Sequence, residues 1–523
     1  MSGTTTPEPR WRYWLRALVP QRHDLLALVL GAVSVAGFAP LALAPLTLLA
    51  LTGLFWLIWQ ADTPRQAARR GLWFGLGQFG VGASWLISSV SIYGGAPLPL
   101  GVAAVFLWVL YLSFYPALAA WLARLFSSRT FPVLGLLVIY PAAWVAGEWL
   151  RGHLFGGYPM LQVGVSHVLT WLDGYAPIFG VLGVSWAVAL TAAALVWLAV
   201  RQAWIGAALL IAVVWLTGGS LRDVRWTEPA GDPVSVALLQ GNVDQADKWK
   251  PTMLYPTLKR YVAMTREQLT ADVIVWPETA VPAFFDLVEK GALKTFLHDA
   301  RALGKDILLG AIWRDEDRRH YYNALINVGH VPYQVYRKYH LVLIGEYYPF
   351  GDLLKPLFDW LNIPFDQFTP GPFPPRPMKL GDHHAGMAIC FETYFGDELR
   401  RQLPEADYFI TVSNDAWFAH TLEPAQALQD VQMRAIELGR DFARATNTGL
   451  TTHVNARGEI VAQLPAYTQG SLRARVQPRS GLTPYARWGD LAVLMLLGAV
   501  FGFVLAARYL RGGLRSGRKT AGK

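Results

Sequence analysis

Three short motifs carry the residues that could do chemistry in this sequence. Glu278 follows Trp-Pro, Lys338 lies in an Arg-Lys-Tyr-His-Leu segment, and the only cysteine, Cys390, begins Cys-Phe-Glu. A neutral thiol is a poor nucleophile, so it needs a base or a positive neighbour. Glu278 could take the thiol proton, and Lys338 could stabilise both the thiolate and the oxyanion of a tetrahedral intermediate. Together the three residue types point to a nucleophilic cysteine.

Each motif also has a plainer explanation when it is taken alone. A lone cysteine is usually a buried small hydrophobe. A glutamate after Trp-Pro is often a helix N-terminal charge, and a lysine among aromatic residues is often a solvated or cation–π residue. The positions of the motifs favour a catalytic role over these plainer explanations. Each motif ends a strand-like run, where α/β folds usually place reactive groups.

Alternating strand-like and helical patterns predict that residues 221–487 form a soluble α/β domain. The predicted strands are 234–239, 272–276, 307–313, 385–390 and 408–412. The predicted helices are 252–270, 286–303 and 424–445. Asn455-Ala-Arg-Gly458 is typical of a hairpin turn. Glu278 then follows one of these strands, Cys390 ends another, and Lys338 lies between two of them.

The rest of the chain is too apolar for a soluble protein. Hydrophobic residues make up 53% and charged residues 16% of the 523 residues, against about 25% charged in typical soluble domains. This composition excludes disorder, collagen and coiled coil. The net charge of +9 comes largely from arginines between apolar runs, a pattern that sets membrane orientation and does not suggest nucleic-acid binding. An integral membrane protein with a soluble part is predicted.

Eight apolar runs are candidate membrane spans. They are 25–43, 45–61, 71–91, 98–122, 131–150, 174–200, 203–219 and 489–507. The predicted domains are therefore 1–220 with seven transmembrane helices, 221–487 as the catalytic domain, and 488–523 with the last helix and a basic tail. The first two runs are short for a bilayer, which needs about 20 residues.

The distribution of Lys and Arg predicts the orientation. They are concentrated in the N-terminal arm, in alternate loops and in the C-terminal tail, whereas the loops at 38–45 and 91–99 contain none. The positive-inside rule places both termini in the cytoplasm. The segment 221–487 then lies on the outer side, which in a bacterium is the periplasm.

The segment from about 234 to 470 resembles the carbon–nitrogen hydrolase (nitrilase) superfamily. The resemblance is carried by Trp-Pro-Glu278, by Arg-Lys338-Tyr-His-Leu with Glu346, and by Cys390-Phe-Glu392. With the predicted spans, the chain as a whole resembles the apolipoprotein N-acyltransferase family. The resemblance implies a membrane bundle of about eight helices that carries a nitrilase-like αββα sandwich.

The resemblance also implies roles for seven residues. Glu278 matches the general base, Lys338 the triad lysine and Cys390 the nucleophile. The supporting residues are Glu346, which helps position the lysine or shuttle protons, Trp249, a functionally important tryptophan, Glu392, the acid two residues after the nucleophile, and Phe391, which stands where tyrosine is common.

The implied reaction is acyl transfer in two halves. An acyl chain passes from a membrane phospholipid to Cys390 as a thioester, and then to the N-terminal α-amine of the diacylglyceryl-cysteine of an apolipoprotein. No cofactor, metal or nucleic acid is expected, and the predicted location is the bacterial inner membrane. Two alternatives remain at this point, namely a membrane-tethered amidase or nitrilase and a transporter with an accessory domain.

Overall fold

Helices make up the first part of the computed structural model, which describes residues 20–127, 132–348, 356, 367–418 and 420–520. Most of the basic N-terminal arm used in the topology argument lies outside these residues. The helices are α1 (Arg22–Ser34), α2 (Ala44–Trp59), α3 (Pro64–Gly82), α4 (Leu98–Phe126), α5 (Tyr140–His153), α6 (Ala176–Arg201) and α7 (Trp204–Arg222).

Five helical stretches of the described residues are long and apolar enough to cross a membrane. They are Leu98–Phe126, Pro132–Gly156, Trp171–Arg201, Trp204–Arg222 and Leu491–Tyr509. Each of the eight predicted spans overlaps a helix, but α1 has only 13 residues and α2 only 16. At 1.5 Å per residue, neither reaches the roughly 30 Å of a hydrocarbon core. The membrane helices are present, and the count of eight spans stays a prediction.

In the described residues after α7, fifteen strands and seven short or medium helices precede one long final helix. The strands are β1 (Glu228–Pro229), β2 (Val234–Gln240), β3 (Val273–Val275), β4 (Val281–Phe284), β5 (Asp306–Arg314), β6 (Tyr321–Asn327), β7 (Gln334–Arg337), β8 (Met378–Leu380), β9 (His383–Ile389), β10 (Tyr408–Ser413), β11 (Phe442–Thr446), β12 (Thr452–Val454), β13 (Ile460–Gln463), β14 (Gly470–Val476) and β15 (Arg479–Ser480). The helices are α8 (Gln245–Lys248), α9 (Pro251–Glu267), α10 (Phe285–Glu289), α11 (Lys294–Leu303), α12 (Gly396–Leu399), α13 (Glu423–Leu438), α14 (Pro484–Trp488) and α15 (Leu491–Thr520).

Two main sheets stack face to face. The first has the order β14-β2-β3-β5-β6-β7, with β4 beside β5, and the second has the order β13-β12-β11-β10-β9-β8. One apolar core lies between the sheets and contains residues of both, such as Val236 and Met387. Strands β2, β3 and β5 run parallel, as do β9, β10 and β11. These strands are buried on both faces, so they appear in the sequence as continuous apolar runs.

Helices cover the outer face of each sheet and complete a helix–sheet–sheet–helix sandwich. The first sheet packs on α9 and α11 through residues such as Leu258 and Leu297. The second sheet packs on α13 through residues such as Leu428 and Val431. This arrangement is the carbon–nitrogen hydrolase-like fold that the sequence predicts for this part of the chain.

Two predicted helices have different bounds. The helix predicted over 424–445 ends at Leu438, because Gly439 takes a left-handed conformation with φ of 62° and terminates it. Residues 442–446 instead form β11. The helix predicted over 286–303 is broken into α10 and α11 around Gly291, since glycine is a poor helix former.

Helix α13 also joins the sandwich to the membrane helices. Every residue of α13 except the half-buried Ala425 is buried, and three of its apolar residues belong to the core formed by the membrane helices. Gly180 interrupts α6 with a φ of 67°, and Glu437 of α13 accepts a hydrogen bond of 2.6 Å from the freed N–H of Val181. Another bond of 2.9 Å joins the Ala39 N–H to Gln429 Oε1. The sandwich therefore rests on the membrane helices.

Candidate active site

The three predicted triad residues follow the carboxyl ends of three strands. Glu278 comes just after β3, Lys338 after β7 and Cys390 after β9. In the first sheet, β7 runs in the same direction as β3, because β6 is antiparallel to both β5 and β7. The carboxyl ends of both sheets meet at one edge of the sandwich, and the structure brings the three residues to that edge.

Glu278 is buried and has a fixed orientation. Its Oε1 accepts a hydrogen bond of 2.7 Å from the side-chain amide of Asn323. Its Oε2 accepts one of 2.8 Å from the backbone N–H of Asn414, which follows β10 in the second sheet. The carboxylate of Glu278 is therefore held between the two sheets.

Lys338 is 1% exposed and lies between two glutamates. Its Nζ lies 2.7 Å from Glu346 Oε2 and 4.0 Å from Glu278 Oε1. Burial alone lowers the pKa of a lysine, but the charges of Glu346 and Glu278 outweigh it and raise the pKa of Lys338 above its ordinary value. The lysine is therefore a fixed positive charge in the site.

Asn323 links the two glutamates. Its amide donates to Glu346 Oε1 at 3.0 Å as well as to Glu278. The other oxygen of Glu346 accepts from the Val342 N–H at 2.8 Å. Because Glu346 is held at both oxygens, it is placed to orient Lys338, and its role in the reaction stays a prediction.

Cys390 is partly exposed and has a strained backbone. Its φ is 54°, in the left-handed region that residues with a side chain rarely adopt. Burial and the charge of Glu278 raise the pKa of the thiol well above its ordinary value, while Lys338 opposes the rise. The resting thiol is therefore neutral, and a base must remove its proton before it can attack.

Glu392 joins the turn that begins at Cys390 to the loop that carries Lys338. It is fully buried and accepts hydrogen bonds from the Tyr336 hydroxyl and from the N–H groups of Ile389, Tyr339 and His340, at 2.7 to 3.2 Å. Burial raises the pKa of Glu392 to about 7, against the lowering effect of the Ile389 bond. Its contacts indicate a positioning role.

The remaining two predicted residues lie at the rim. Phe391 packs in an aromatic cluster, with ring centroids 5.6 Å from His340 and 5.1 Å from Phe395. Trp249 directly follows α8 and is 47% exposed. Within the described part of the chain, no hydrogen bond or ring contact links Trp249 to the triad residues.

Three contacting residues were not predicted, namely Asn323, Asn414 and Lys248. Asn323 is a buried amide between aromatic and aliphatic neighbours in its strand, and that contrast is the signal that could have found it. Asn414 stands at the end of a predicted strand, as the triad motifs do. Lys248 directly precedes Trp249 in the sequence. Two of these residues could therefore be sought as polar residues within a strand or just after its end, whereas Lys248 lies at the end of a short helix.

The site combines a held carboxylate, a buried ammonium and a neutral thiol. This set is suited to covalent attack on a carbonyl carbon, with the lysine beside the charge that develops. No cluster of three or more His, Cys, Asp or Glu that could hold a metal occurs in the residues that the structure describes. The fold and the residues gathered at its edge are of the carbon–nitrogen hydrolase type.

Two family models match long parts of the chain, and they agree with this class. Residues 30–194 match the family described as Apolipoprotein N-acyltransferase N-terminal domain, and residues 235–485 match the family described as Carbon-nitrogen hydrolase. Among solved structures, a carbon–nitrogen hydrolase from Helicobacter pylori G27 covers 50% of this chain and 94% of its own, at 17% identity and a TM-score of 0.36.

Curated relatives extend over nearly the whole chain. Apolipoprotein N-acyltransferase of Methylococcus capsulatus is 41% identical over 497 residues, which are 95% of this chain and 98% of that protein. Apolipoprotein N-acyltransferase of Nitrosomonas europaea is 40% identical and covers 91% of this chain and 95% of its own. The chain belongs to the apolipoprotein N-acyltransferase family, whose members are acyltransferases. This finding confirms the family resemblance on which the sequence analysis rests.

Proposed function

We propose that this protein transfers an acyl chain from a membrane phospholipid to an apolipoprotein, through a thioester on Cys390. The acceptor is the N-terminal α-amine of the diacylglyceryl-cysteine. The family assignment supports the overall reaction, and the arrangement of Glu278, Lys338 and Cys390 supports the route.

One observation carries the proposal. The turn that begins with the nucleophile packs directly on the membrane helices, because Tyr394 and Phe395 belong to the same apolar core as those helices. Phe391 packs against that core as well. A thiol placed there meets lipid-anchored substrates at high effective concentration. A hydrolase of small water-soluble amides has no need for this placement.

The first half-reaction makes the acyl-enzyme. Glu278 takes the proton of the Cys390 thiol, and the sulfur attacks the ester carbonyl of the phospholipid. Lys338 stabilises the oxyanion of the tetrahedral intermediate. The C–O bond then breaks, and Glu278 returns the proton to the departing oxygen of the lysophospholipid.

The second half-reaction consumes the thioester. The neutral α-amine attacks the thioester carbonyl, the C–S bond breaks, and the amine loses a proton as the amide forms. Glu278 is placed to receive that proton and return it to the sulfur. A thioester is reactive enough to acylate an amine without a nucleotide cofactor, so the cycle needs only the two lipid substrates.

The same proposal includes the arrangement in the membrane. Residues 1–220 and 488–523 would supply eight spans, with both termini in the cytoplasm and residues 221–487 in the periplasm of the bacterial inner membrane. The loop charges and the helices that overlap all eight runs support this arrangement.

Reporter fusions test the orientation. A reporter fused after Tyr467 should be active only as a periplasmic reporter, and one fused after Arg515 only as a cytoplasmic reporter. A cytoplasmic signal at Tyr467 would contradict both the charge argument and access to exported lipoproteins.

Trapping the acyl-enzyme tests the chemistry. The purified protein in phospholipid nanodiscs should gain the mass of one acyl chain on Cys390, and neutral hydroxylamine should release it. A diacylated lipopeptide with a free N-terminus should discharge the thioester and become triacylated. Cys390→Ala should show neither step, because the chain has no second cysteine.

Two results would refute the route. Lipid labelling that survives in Cys390→Ala would remove the nucleophile assignment. Rapid hydrolysis of the thioester without transfer to the lipopeptide would instead support a membrane-tethered hydrolase. Cys390→Ser should be labelled slowly at most, since a carboxylate activates a hydroxyl less readily than a thiol.

A further inference from the structure

A lysine that this mechanism does not use lies buried beside the general base. Lys248 is 2% exposed, and no salt bridge joins it to a carboxylate of the described residues. Its Nζ donates to Thr279 Oγ1 at 2.8 Å and to the Glu278 carbonyl at 3.4 Å. The ammonium group is therefore bound to the turn that carries the base.

That turn has a conformation that its residues do not favour. Thr279 has a φ of 46°, in the left-handed region, which is a clear outlier for a β-branched residue. Such a conformation persists only where the surroundings hold it. The hydroxyl of Thr279 accepts from Lys248, so Lys248 is one of the groups that hold it.

The helix that carries Lys248 reaches Glu278 by a second route. Gln245, at the start of α8, accepts a hydrogen bond of 2.8 Å from the Asn414 side-chain amide. The backbone N–H of Asn414 in turn donates to Glu278 Oε2 at 2.8 Å. Helix α8 thus contacts the main chain of the base directly and its carboxylate through one intermediate residue.

A buried amine without a paired carboxylate is costly to keep. Burial lowers the pKa of Lys248 to about 7, although the charge of Glu278 opposes the shift. An apolar side chain of similar length would fill the same space without this penalty. The contacts of the amine with Glu278 and Thr279 explain its presence.

We propose that Lys248 is a positioning residue of the acyl transfer, which holds the Glu278–Thr279 turn so that the Glu278 carboxylate faces the Cys390 thiol. The proposal rests on the proposed function, in which Glu278 removes the thiol proton. It predicts an effect on acyl-enzyme formation and little effect on phospholipid binding.

The first test replaces the amine and keeps the length of the side chain. Lys248→Met should slow single-turnover acylation of Cys390 in phosphatidylethanolamine nanodiscs by about 10- to 100-fold, the loss expected for a misplaced catalytic group. The phospholipid concentration at half-maximal rate should stay within about twofold. Lys259→Met, an exposed lysine on α9, is the matched control and should match the wild type.

The second test uses the partner of Lys248 and does not depend on the folding of Lys248→Met. Thr279→Val removes the accepting hydroxyl and should slow acylation to a similar extent, while Thr279→Ser keeps the hydroxyl and should be close to wild type. If the two residues act through one bond, the double variant Lys248→Met, Thr279→Val should be no slower than the slower single variant.

The outcomes separate this proposal from the proposed function. A wild-type protein that forms no thioester refutes the proposed function itself. A wild-type protein that acylates, with a folded Lys248→Met that acylates equally fast, overturns only the role of Lys248. Equal rates for Thr279→Val and Thr279→Ser, or fully additive effects in the double variant, also overturn it.

Discussion

The two halves of the sandwich contribute different parts of the site and face different surroundings. The first half is the sheet that contains β3 and β7, with helices α9 and α11, and it supplies Glu278 and Lys338. The second half is the sheet that contains β9 and β10, with helix α13, and it supplies Cys390. Helices α9 and α11 have exposed faces, whereas all residues of α13 except the half-buried Ala425 are buried.

This difference assigns separate tasks to the halves. The half that carries Cys390 is fixed to the membrane helices, where the proposed acyl donor would arrive, and its outer layer must bury charged groups at the contact. The half that carries Glu278 and Lys338 has an ordinary water-facing surface. Substitutions in the first half should therefore change the rate of acyl transfer and leave the free energy of unfolding nearly unchanged. Substitutions in α13 should instead change the free energy of unfolding.

The largest effect is expected at Glu346. Glu346→Gln removes the nearest counter-charge of Lys338 at 2.7 Å, so burial should lower the pKa of the lysine. We expect turnover to fall by about 100- to 1,000-fold, within the range for groups that stabilise or transfer charge in a transition state. Lipopeptide acylation measures it, with thermal unfolding to show that the fold is intact. Glu405→Gln, an exposed glutamate, is the control; normal turnover in Glu346→Gln would reduce Glu346 to a structural residue.

The next largest effect is expected at Glu437, in the second half. Glu437 is fully buried and pairs with Arg434 at 2.8 Å as well as with the Val181 N–H. Glu437→Gln leaves Arg434 buried without its counter-charge, which should cost about 3 to 5 kcal/mol of unfolding free energy. Thermal unfolding in detergent measures the loss. Glu267→Gln, at the exposed end of α9, should change the free energy of unfolding by less than about 0.5 kcal/mol. Similar losses in both variants would contradict the difference between the two halves of the sandwich.

A smaller effect is expected from pH. Burial raises the pKa of Asp430 from 3.8 to about 7, against the charges of Arg434 and Arg151. The folded protein therefore holds this proton more tightly than the unfolded chain, so stability should fall as pH rises from about 4 to about 7. Asp430→Asn should remove about 1 to 3 kcal/mol of this dependence. Unfolding curves at several pH values measure this pH dependence. If stability in Asp430→Asn fell with pH as steeply as in the wild type, Asp430 would not be its source.

The smallest effect is expected at Phe391. The ring packs against aromatic residues at the rim of the site, and its ring contacts with the described residues His340 and Phe395 need no hydroxyl. Phe391→Tyr should keep turnover within about threefold of wild type, as is usual for a substitution of nearly constant volume. Acyl-enzyme formation is the measurement, and a gain or loss of more than tenfold would show that the residue at this position takes part in the chemistry.

The reactive strand ends could be predicted from the sequence because buried parallel strands are apolar runs with a visible end. Glu278 and Cys390 follow such ends, so a search for polar residues there finds them. Asn323 lies inside an antiparallel strand, where no local pattern shows which residue it faces. The bond between Asn414 and Glu278 joins residues 136 positions apart, and only the packing of the two sheets brings them together.

The helix predicted over 424–445 was too long for a local reason. Leu438, Phe442 and Ala445 are spaced by four and three residues, as they would be on a helix, so the period of the pattern did not mark the change from helix to strand. Only Gly439 marks it. The number of membrane spans could not be predicted from apolar composition alone. Helices α1 and α2 are shorter than a simple span, and their composition does not show how they lie in a bilayer.

The contacts between the sandwich and the membrane helices limit how substrates can move. Ala39, Ser89, Gly156 and Val181, from four separate membrane segments, bond to Gln429, Trp417, His340 and Glu437 respectively. A hinge that lifted the sandwich would have to break several of these bonds at once. In the proposed reaction, both lipid substrates would therefore arrive and depart sideways, within the plane of the membrane, while the sandwich stays in place above the membrane helices.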